Sequence, residues 1–237
     1  MRLLSVDSTA SACSVSLTEG GKVLGEFYCN TKLTHSQTLM VMAEQMMNCT
    51  GFSLQDVDGF AVSAGPGSFT GVRIGVSAVK GMAMALGKPC VGVSTLEAMA
   101  RNLTHLTGIV CALMDARCGQ VYTALFRVGE GRLERLAEDS ALPASEAART
   151  AGSCAEQGEP VYLVGDGAEL CFCREEFKAL SAVLAPEPLR FQRACGVAKA
   201  AEERFLRGEA VTAAELAPVY LRLPQAEREL KKKRKKA

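Results

Sequence analysis

Tryptophan is absent from the 237 residues, histidine occurs only twice, and aromatic side chains make up 5% of the chain. His35 and His105 lie seventy residues apart, and none of the ten cysteines belongs to a C-x-x-C pair. A zinc site therefore has little support, and no metal site is expected. No run approaches about 18 consecutive apolar residues, so no membrane span is expected. The start, Met1-Arg2-Leu3-Leu4-Ser5-Val6-Asp7, turns polar too soon for a signal peptide. A cytoplasmic location follows as an expectation, with the cysteines acting as small buried apolar residues in a reducing compartment. A general excess of positive charge is lacking too. The formal net charge is +1, but six cations form one run, Lys231–Lys236, and the remainder has 21 basic against 26 acidic residues. A broad basic surface for nucleic acid is not expected.

What is present is a chain with 48% hydrophobic and 22% charged residues, long enough to bury a core without staples. Leu3–Val6 is a short apolar strand. Cys13, Val15 and Leu17 alternate with Ser14, Ser16 and Thr18 at period two. Gly20-Gly21 marks a hairpin, and Val23–Cys29 returns. A helix is expected over about 36–49, a strand over 60–63, a helix over 70–86 and a strand over 90–93. Ser94-Thr95-Leu96-Glu97 reads as a capping box opening a third helix. Three meandering strands feeding two crossover units make a mixed five-stranded sheet covered by helices.

The second half reads as a smaller, less regular version of this plan. Strands are expected over 109–114, 121–128, 132–136 and 161–164. Helices are expected over 144–151, 168–181 and 192–207, the last two separated by Pro186-Glu187-Pro188. The plan divides the chain near residues 103–108. That gives a first unit over 1–104, a second over 105–230 and a disordered basic tail over 231–237.

Three places could carry chemistry. Gly65-Pro66-Gly67-Ser68-Phe69-Thr70-Gly71-Val72-Arg73-Ile74-Gly75 joins a strand to a helix, where exposed backbone N–H groups can hold an anion. It is neither a Walker A loop nor a dinucleotide fingerprint, and a plain turn before a close-packed helix is the simpler reading. Asp7-Ser8-Thr9 ends the first strand, and Asp115 occupies the same topological place in the second half. An acid and hydroxyls there could hold magnesium and phosphate, or simply form local turns. Gly165-Asp166-Gly167 is a third glycine turn that could face a nucleotide. No nucleophile–base pair stands out, so no catalytic residue is assigned.

The two long helices have more apolar surface than one sheet needs. On the first, Leu39, Met42 and Met46 share a face with Cys49. On the second, Val72, Val76, Val79, Ala83 and Leu86 form one stripe, and Gly71, Gly75, Ala78, Met82 and Ala85 form another. An interior glycine costs about 1 kcal/mol relative to alanine. Leu39, Met42, Met46, Gly71, Gly75, Ala78 and Met82 are therefore candidates for close approach to another helix, in this chain or another.

These blocks together, with Met114-Asp115-Ala116-Arg117, Gly119, Val121-Tyr122 and the closing Pro218-Val219-Tyr220-Leu221-Arg222, resemble the bacterial TsaB (YeaZ) family over residues 1–223. The resemblance implies an actin/hexokinase-like ATPase fold of two ribonuclease-H-like halves. It implies a non-catalytic, required subunit of the machinery that makes threonylcarbamoyladenosine beside the tRNA anticodon. The implied partners are a TsaD-like catalytic subunit, a TsaE-like ATPase and, through the complex, tRNA, with homodimerisation when the chain is isolated. No cofactor is implied for this subunit, while ATP and a divalent metal belong to the partners. Asp7, Ser8, Thr9, Asp115, Gly165, Asp166 and Gly167 would then line a vestigial nucleotide cleft. The competing reading is an independent ATP-handling enzyme of sugar-kinase type that grips ATP with the same residues. No protease-like constellation is present.

Overall fold

The computed structural model describes residues 1–31 and 33–222. Lys231–Lys236 and the expectation of a disordered tail lie outside them. A short apolar run gives β1 (Arg2–Asp7), period-two alternation gives β2 (Cys13–Glu19), and the chain returns through the Gly20-Gly21 turn as β3 (Lys22–Cys29). The fully buried run Gly59–Gly65 is β4, and Cys90–Ser94 is β5. They form one sheet of order β3-β2-β1-β4-β5. The β1–β2 and β2–β3 pairs are antiparallel, and the β1–β4 and β4–β5 pairs are parallel.

The second half repeats this plan strand for strand. β6 (Gly108–Asp115), β7 (Gln120–Gly129), β8 (Arg132–Pro143), β9 (Val161–Val164) and β10 (Val183–Leu184) give the order β8-β7-β6-β9-β10. The pairing senses match as well. The second sheet is therefore not reduced in strand number. Reduction shows in β10, which has two residues, and in three short helices, α5 (Ala168–Phe172), α6 (Glu175–Lys178) and α7 (Glu187–Arg190).

Three local readings need correcting. The third strand of the second half runs to Pro143, because charged Glu138 and Asp139 interrupt an alternation that the backbone continues. The helix expected over 168–181 is two, because the chain is extended at Arg174, and β10 follows where no strand was expected. Pro186-Glu187-Pro188 opens α7 as well as breaking the chain, since proline is tolerated in a first turn whose N–H groups lack partners.

In the first half, α1 (His35–Thr50) starts at a Thr34–Gln37 capping box, and α2 (Phe69–Leu86) starts at Ser68, whose Oγ accepts from Gly71 N. Both cover the outer face of the first sheet. Leu4, Val6, Val15 and Leu17 pack there with Leu39, Met46, Val72, Val76 and Val79. α2 is long and apolar enough to cross a membrane by length and composition alone. Its apolar stripe instead lies buried against the sheet. In the second half α4 (Ala144–Cys154) covers the outer face with an alanine stripe, joined by Cys171 of α5 and Phe177 of α6.

The inner faces are covered crosswise. α3 (Thr95–Ala100) comes from the first half but packs Leu96, Met99 and Ala100 against Val110, Ala112 and Phe126 of the second sheet. α8 (Ala194–Leu206) comes from the second half but packs Val197, Ala200 and Ala201 against Leu3, Ala61, Val91 and Val93 of the first. The sequence division at 104/105 assigns α8 to the opposite unit from the one it covers. Gly196 permits this approach, because a Cβ there would stand 2.1 Å from Ala98 O. Only half of the capping box at Ser94 forms. Ser94 Oγ accepts from Glu97 N. The Glu97 carboxylate turns instead to Arg101 at 2.9 Å and Arg135 at 3.2 Å. Burial acts to raise the pKa of Glu97, but Arg101, with Arg135 and Arg204 behind it, holds it below the usual carboxylate range. These arginines come from both halves, so Glu97 ties the crossing point electrostatically.

Candidate functional site

Where β1 ends, Asp7 is wholly buried. Its Oδ1 accepts from Thr9 N at 2.9 Å and Thr9 Oγ1 at 2.8 Å, and its Oδ2 accepts from Ser63 Oγ. Burial raises its pKa, and the bonds from Ser63 and Thr9 only partly oppose that. The loop after β4 then closes over the turn. Ser68 N donates to Thr9 O at 2.7 Å, and Ser8 Oγ donates to Gly71 O at 2.8 Å. A Cβ on Gly67 would lie 2.5 Å from Thr9 O, one on Gly71 2.1 Å from Ser8 O, and one on Gly75 2.6 Å from Ser8 Oγ. The glycines of the 65–75 segment therefore serve contact between two loops of the same chain.

A nucleotide of the kind this fold family holds would need that turn open to its phosphates. Asp7 already accepts three hydrogen bonds from within the chain, and Ser8 and Thr9 are buried beside the 67–71 segment. Among the described residues no group of three His, Cys, Asp or Glu side chains is placed to hold a metal ion.

A cleft of about 580 Å³ opens beside this closed turn, lined among others by Thr9, Asp115, Arg117, Tyr122, Asp166 and Arg222. It unites Thr9, Asp115 and Asp166 of the expected cleft residues. Asp7, Ser8, Gly165 and Gly167 lie outside its lining. Asp115 is exposed, and its Oδ1 accepts from Arg117 N at 2.7 Å, a local turn bond. Asp166 accepts from Gln192 Nε2 at 3.1 Å. Burial pushes Asp166 up to about 6, opposed by the Gln192 bond and helped by the nearby carboxylates of Asp115 and Asp7. Gln192 is fully buried, and its Oε1 has no partner among the described residues.

The segment 218–222 forms the outer wall. Val219 N donates to Ala64 O at 2.7 Å. Arg73 Nε donates to Tyr220 Oη at 2.8 Å while its guanidinium lies 3.8 Å over the Phe69 ring. Arg222 Nη1 donates to the carbonyls of Ala116 and Arg117 across the cleft. Ser63 and Gln192 were not legible as site residues, because one reads as the end of an apolar strand and the other as the first residue of a helix.

The candidate interface needs correction. Leu39, Met46, Gly71, Gly75 and Met82 are buried within the first half, and Met42 is half-buried against the same core. Only Ala78 and the edge of Met82 reach a surface groove of about 510 Å³, shared with Met40, Gly81, Ala85 and Leu86. Met40 in that lining, and Val41 and Met84 on the same two helices, stand exposed at 48%, 55% and 67%. Gly81, not Gly75, is the glycine open to the outside, for a Cβ there would meet nothing within 4 Å.

Two sheets of identical order, with crossed inner helices and a cleft between the ends of their first strands, define the actin/hexokinase-like ATPase fold. The (R)-2-hydroxyglutaryl-CoA dehydratase component A from Acidaminococcus fermentans shares it at a TM-score of 0.50 and 9% identity, over 88% of this chain and 99% of that one. Residues 29–229 match the family model of TsaD, tRNA N6-adenosine threonylcarbamoyltransferase. The tRNA threonylcarbamoyladenosine biosynthesis protein TsaB of Bacillus subtilis is 31% identical over 229 residues, 96% of each chain. A crystal structure of an uncharacterized protein with similarity to peptidase YEAZ from Pseudomonas aeruginosa has a TM-score of 0.78 and 30% identity, covering 93% of this chain and 99% of that one. The chain belongs to the TsaB (YeaZ) family.

Proposed function

We propose that this chain is a non-catalytic, required subunit of the cytoplasmic complex that installs threonylcarbamoyl on the anticodon-adjacent adenosine of tRNA. It binds the TsaD-like catalytic subunit through the α1–α2 groove. The observation that carries this reading is the groove itself. A strip of exposed methionine and valine borders small residues, on two helices whose opposite faces already cover the sheet. Methionine suits adaptable helix contacts, and an apolar strip of this kind marks a protein contact. Kinship with the TsaD family supports a paired arrangement of like helices from the two subunits. The same face pairs two copies when the chain is alone. The TsaE-like ATPase and tRNA join through the assembled complex.

This subunit holds no nucleotide or metal of its own, and ATP and the divalent ion belong to its partners. The closed Asp7 turn supports this over the ATP-handling alternative. Calorimetry of the isolated chain with ATP and magnesium should give no binding heat, and a stoichiometric binding isotherm would revive the alternative. Gly81→Phe fills the groove without touching the chain's own core. It should weaken TsaD binding at least tenfold with an unchanged circular dichroism spectrum. Undiminished affinity would sink the groove assignment.

A further inference from the structure

Two cysteines face each other across the first sheet. Cys13 and Cys29 are direct partners in the antiparallel register of β2 and β3. Such partners project to the same face, and here that face lies beneath α1, where Cys13 packs with Val15, Leu17 and Leu39. Directly opposite residues in an antiparallel pair have Cα atoms about 4.5 or 5.5 Å apart. Both values fall inside the roughly 4.4–6.8 Å that a disulfide spans. The one register shift of this pair lies at Leu17/Thr18, away from the cysteines.

Access differs between the two. Cys13 is buried, whereas Cys29 is partly exposed, with its thiol 3.7 Å from Thr31 Oγ1. The other cysteines lack this combination. Cys111 and Cys171 are both buried, and Cys49, Cys118 and Cys173 are exposed but belong to no register pair.

We propose that Cys13 and Cys29 are an oxidisable pair that a hydroperoxide converts to an intramolecular disulfide, stapling β2 to β3 under the start of α1. The Cys29 thiolate attacks one peroxide oxygen and the O–O bond breaks, leaving a sulfenic acid and hydroxide. The Cys13 sulfur attacks the sulfenic sulfur. The S–S bond forms, the S–O bond breaks, and the released hydroxide takes the Cys13 proton as water. Two thiols are oxidised and one peroxide is reduced to water. Burial pushes the Cys13 thiol up to about 11, with the Thr38 hydroxyl opposing and Asp7 and Cys29 adding to it. α1 begins six residues after Cys29, so the staple stiffens the entry to the helix whose outer side borders the groove. The proposal does not depend on what binds there.

The test treats the folded full-length chain with excess hydrogen peroxide, blocks remaining thiols with iodoacetamide, and maps peptides without reduction. The expected result is a linked Cys13–Cys29 peptide at least tenfold more abundant than any other linked pair. It should disappear with dithiothreitol and in Cys29→Ser. Cys13→Ala removes the resolving thiol and should leave Cys29 as sulfinic acid. Recovery of both residues alkylated, sulfinic acid on Cys29 of the unmodified sequence, or linkage of Cys29 to another cysteine would each overturn the proposal.

Discussion

Asp7 and Asp115 end the first strands of two sheets with the same order, and each accepts a bond from the backbone N–H two residues on. One is fully buried and the other exposed. The difference lies in the loop that leaves the neighbouring parallel strand. After β4, Gly65-Pro66-Gly67 leads into Ser68–Gly71, which folds onto the Asp7 turn. After β9, Gly165-Asp166-Gly167 sits equally close to its own strand, but only the short α5 comes next. A Cβ on Gly167 would lie 2.9 Å from Met114 C, much as one on Gly67 would crowd Thr9. The same local device therefore yields a braced, closed turn in one half and a carboxylate facing a cleft in the other. An acid at the end of a first strand says little about chemistry until the covering loop is known.

The contrast can be broken most severely at the glycines. Gly71→Val and Gly165→Ala should each destabilise by about 4 kcal/mol or more, because their Cβ atoms would meet backbone oxygens of Ser8 at 2.1 Å and Leu113 at 2.0 Å. Denaturant midpoints check this, and a loss below about 1 kcal/mol at either position would mean that the loops part easily. Gly75→Leu belongs to the same class, since it would crowd Ser8 and Val62.

Removing the two acids should separate the halves. Asp7→Ala strands three buried donors and should cost about 3 kcal/mol, while Asp115→Ala should cost less than about 1 kcal/mol. Equal losses would contradict the contrast in burial.

Asp166 offers a pH test. Its folded pKa is raised to about 6, so its contribution to stability is complete below its unfolded value and is lost as pH rises through 6. Asp166→Asn should therefore stabilise the protein by about 2 kcal/mol at pH 7 and by little at pH 4. The new amide could also donate to the unpartnered Gln192 Oε1. Thermal melts across that range should show a flatter pH profile in the variant, and an unchanged profile would place the titration elsewhere. The smallest effect belongs to Gly81→Phe, whose melting should stay within about 0.5 kcal/mol of the parent even as partner binding falls.

The sheets were legible in the sequence because apolar residues alternating with small hydroxyls print period two, as in Cys13–Thr18, even though both faces are buried, and an apolar run marks a strand such as Phe60–Val62. The crossing of α3 and α8 was not, because an alanine-rich helix does not say which of two sheets it will cover. The stripe Gly71, Gly75, Ala78, Met82 was visible but its owner was not. Its first two members answer to Ser8, sixty-odd positions earlier in the chain, and only the last turns face outward. Asp115 was found by its place after the first strand of the second half and Asp166 as a glycine-flanked acid, whereas Gln192, which holds Asp166, was read only as the first residue of a helix.

The return of α8 to the first sheet bears on how the protein can be made. A ribosome that has released only residues 1–100 has delivered every strand of that sheet but left Leu3, Ala61, Val91 and Val93 with only Ala98 of α3 beside them. The cover arrives with Val197–Ala201, and Val211 then joins the edge at Cys90. The nascent first half must wait, sticky on one side, until α8 has been made. A gene split between the two sheets would yield two fragments that each carry the other's missing lid.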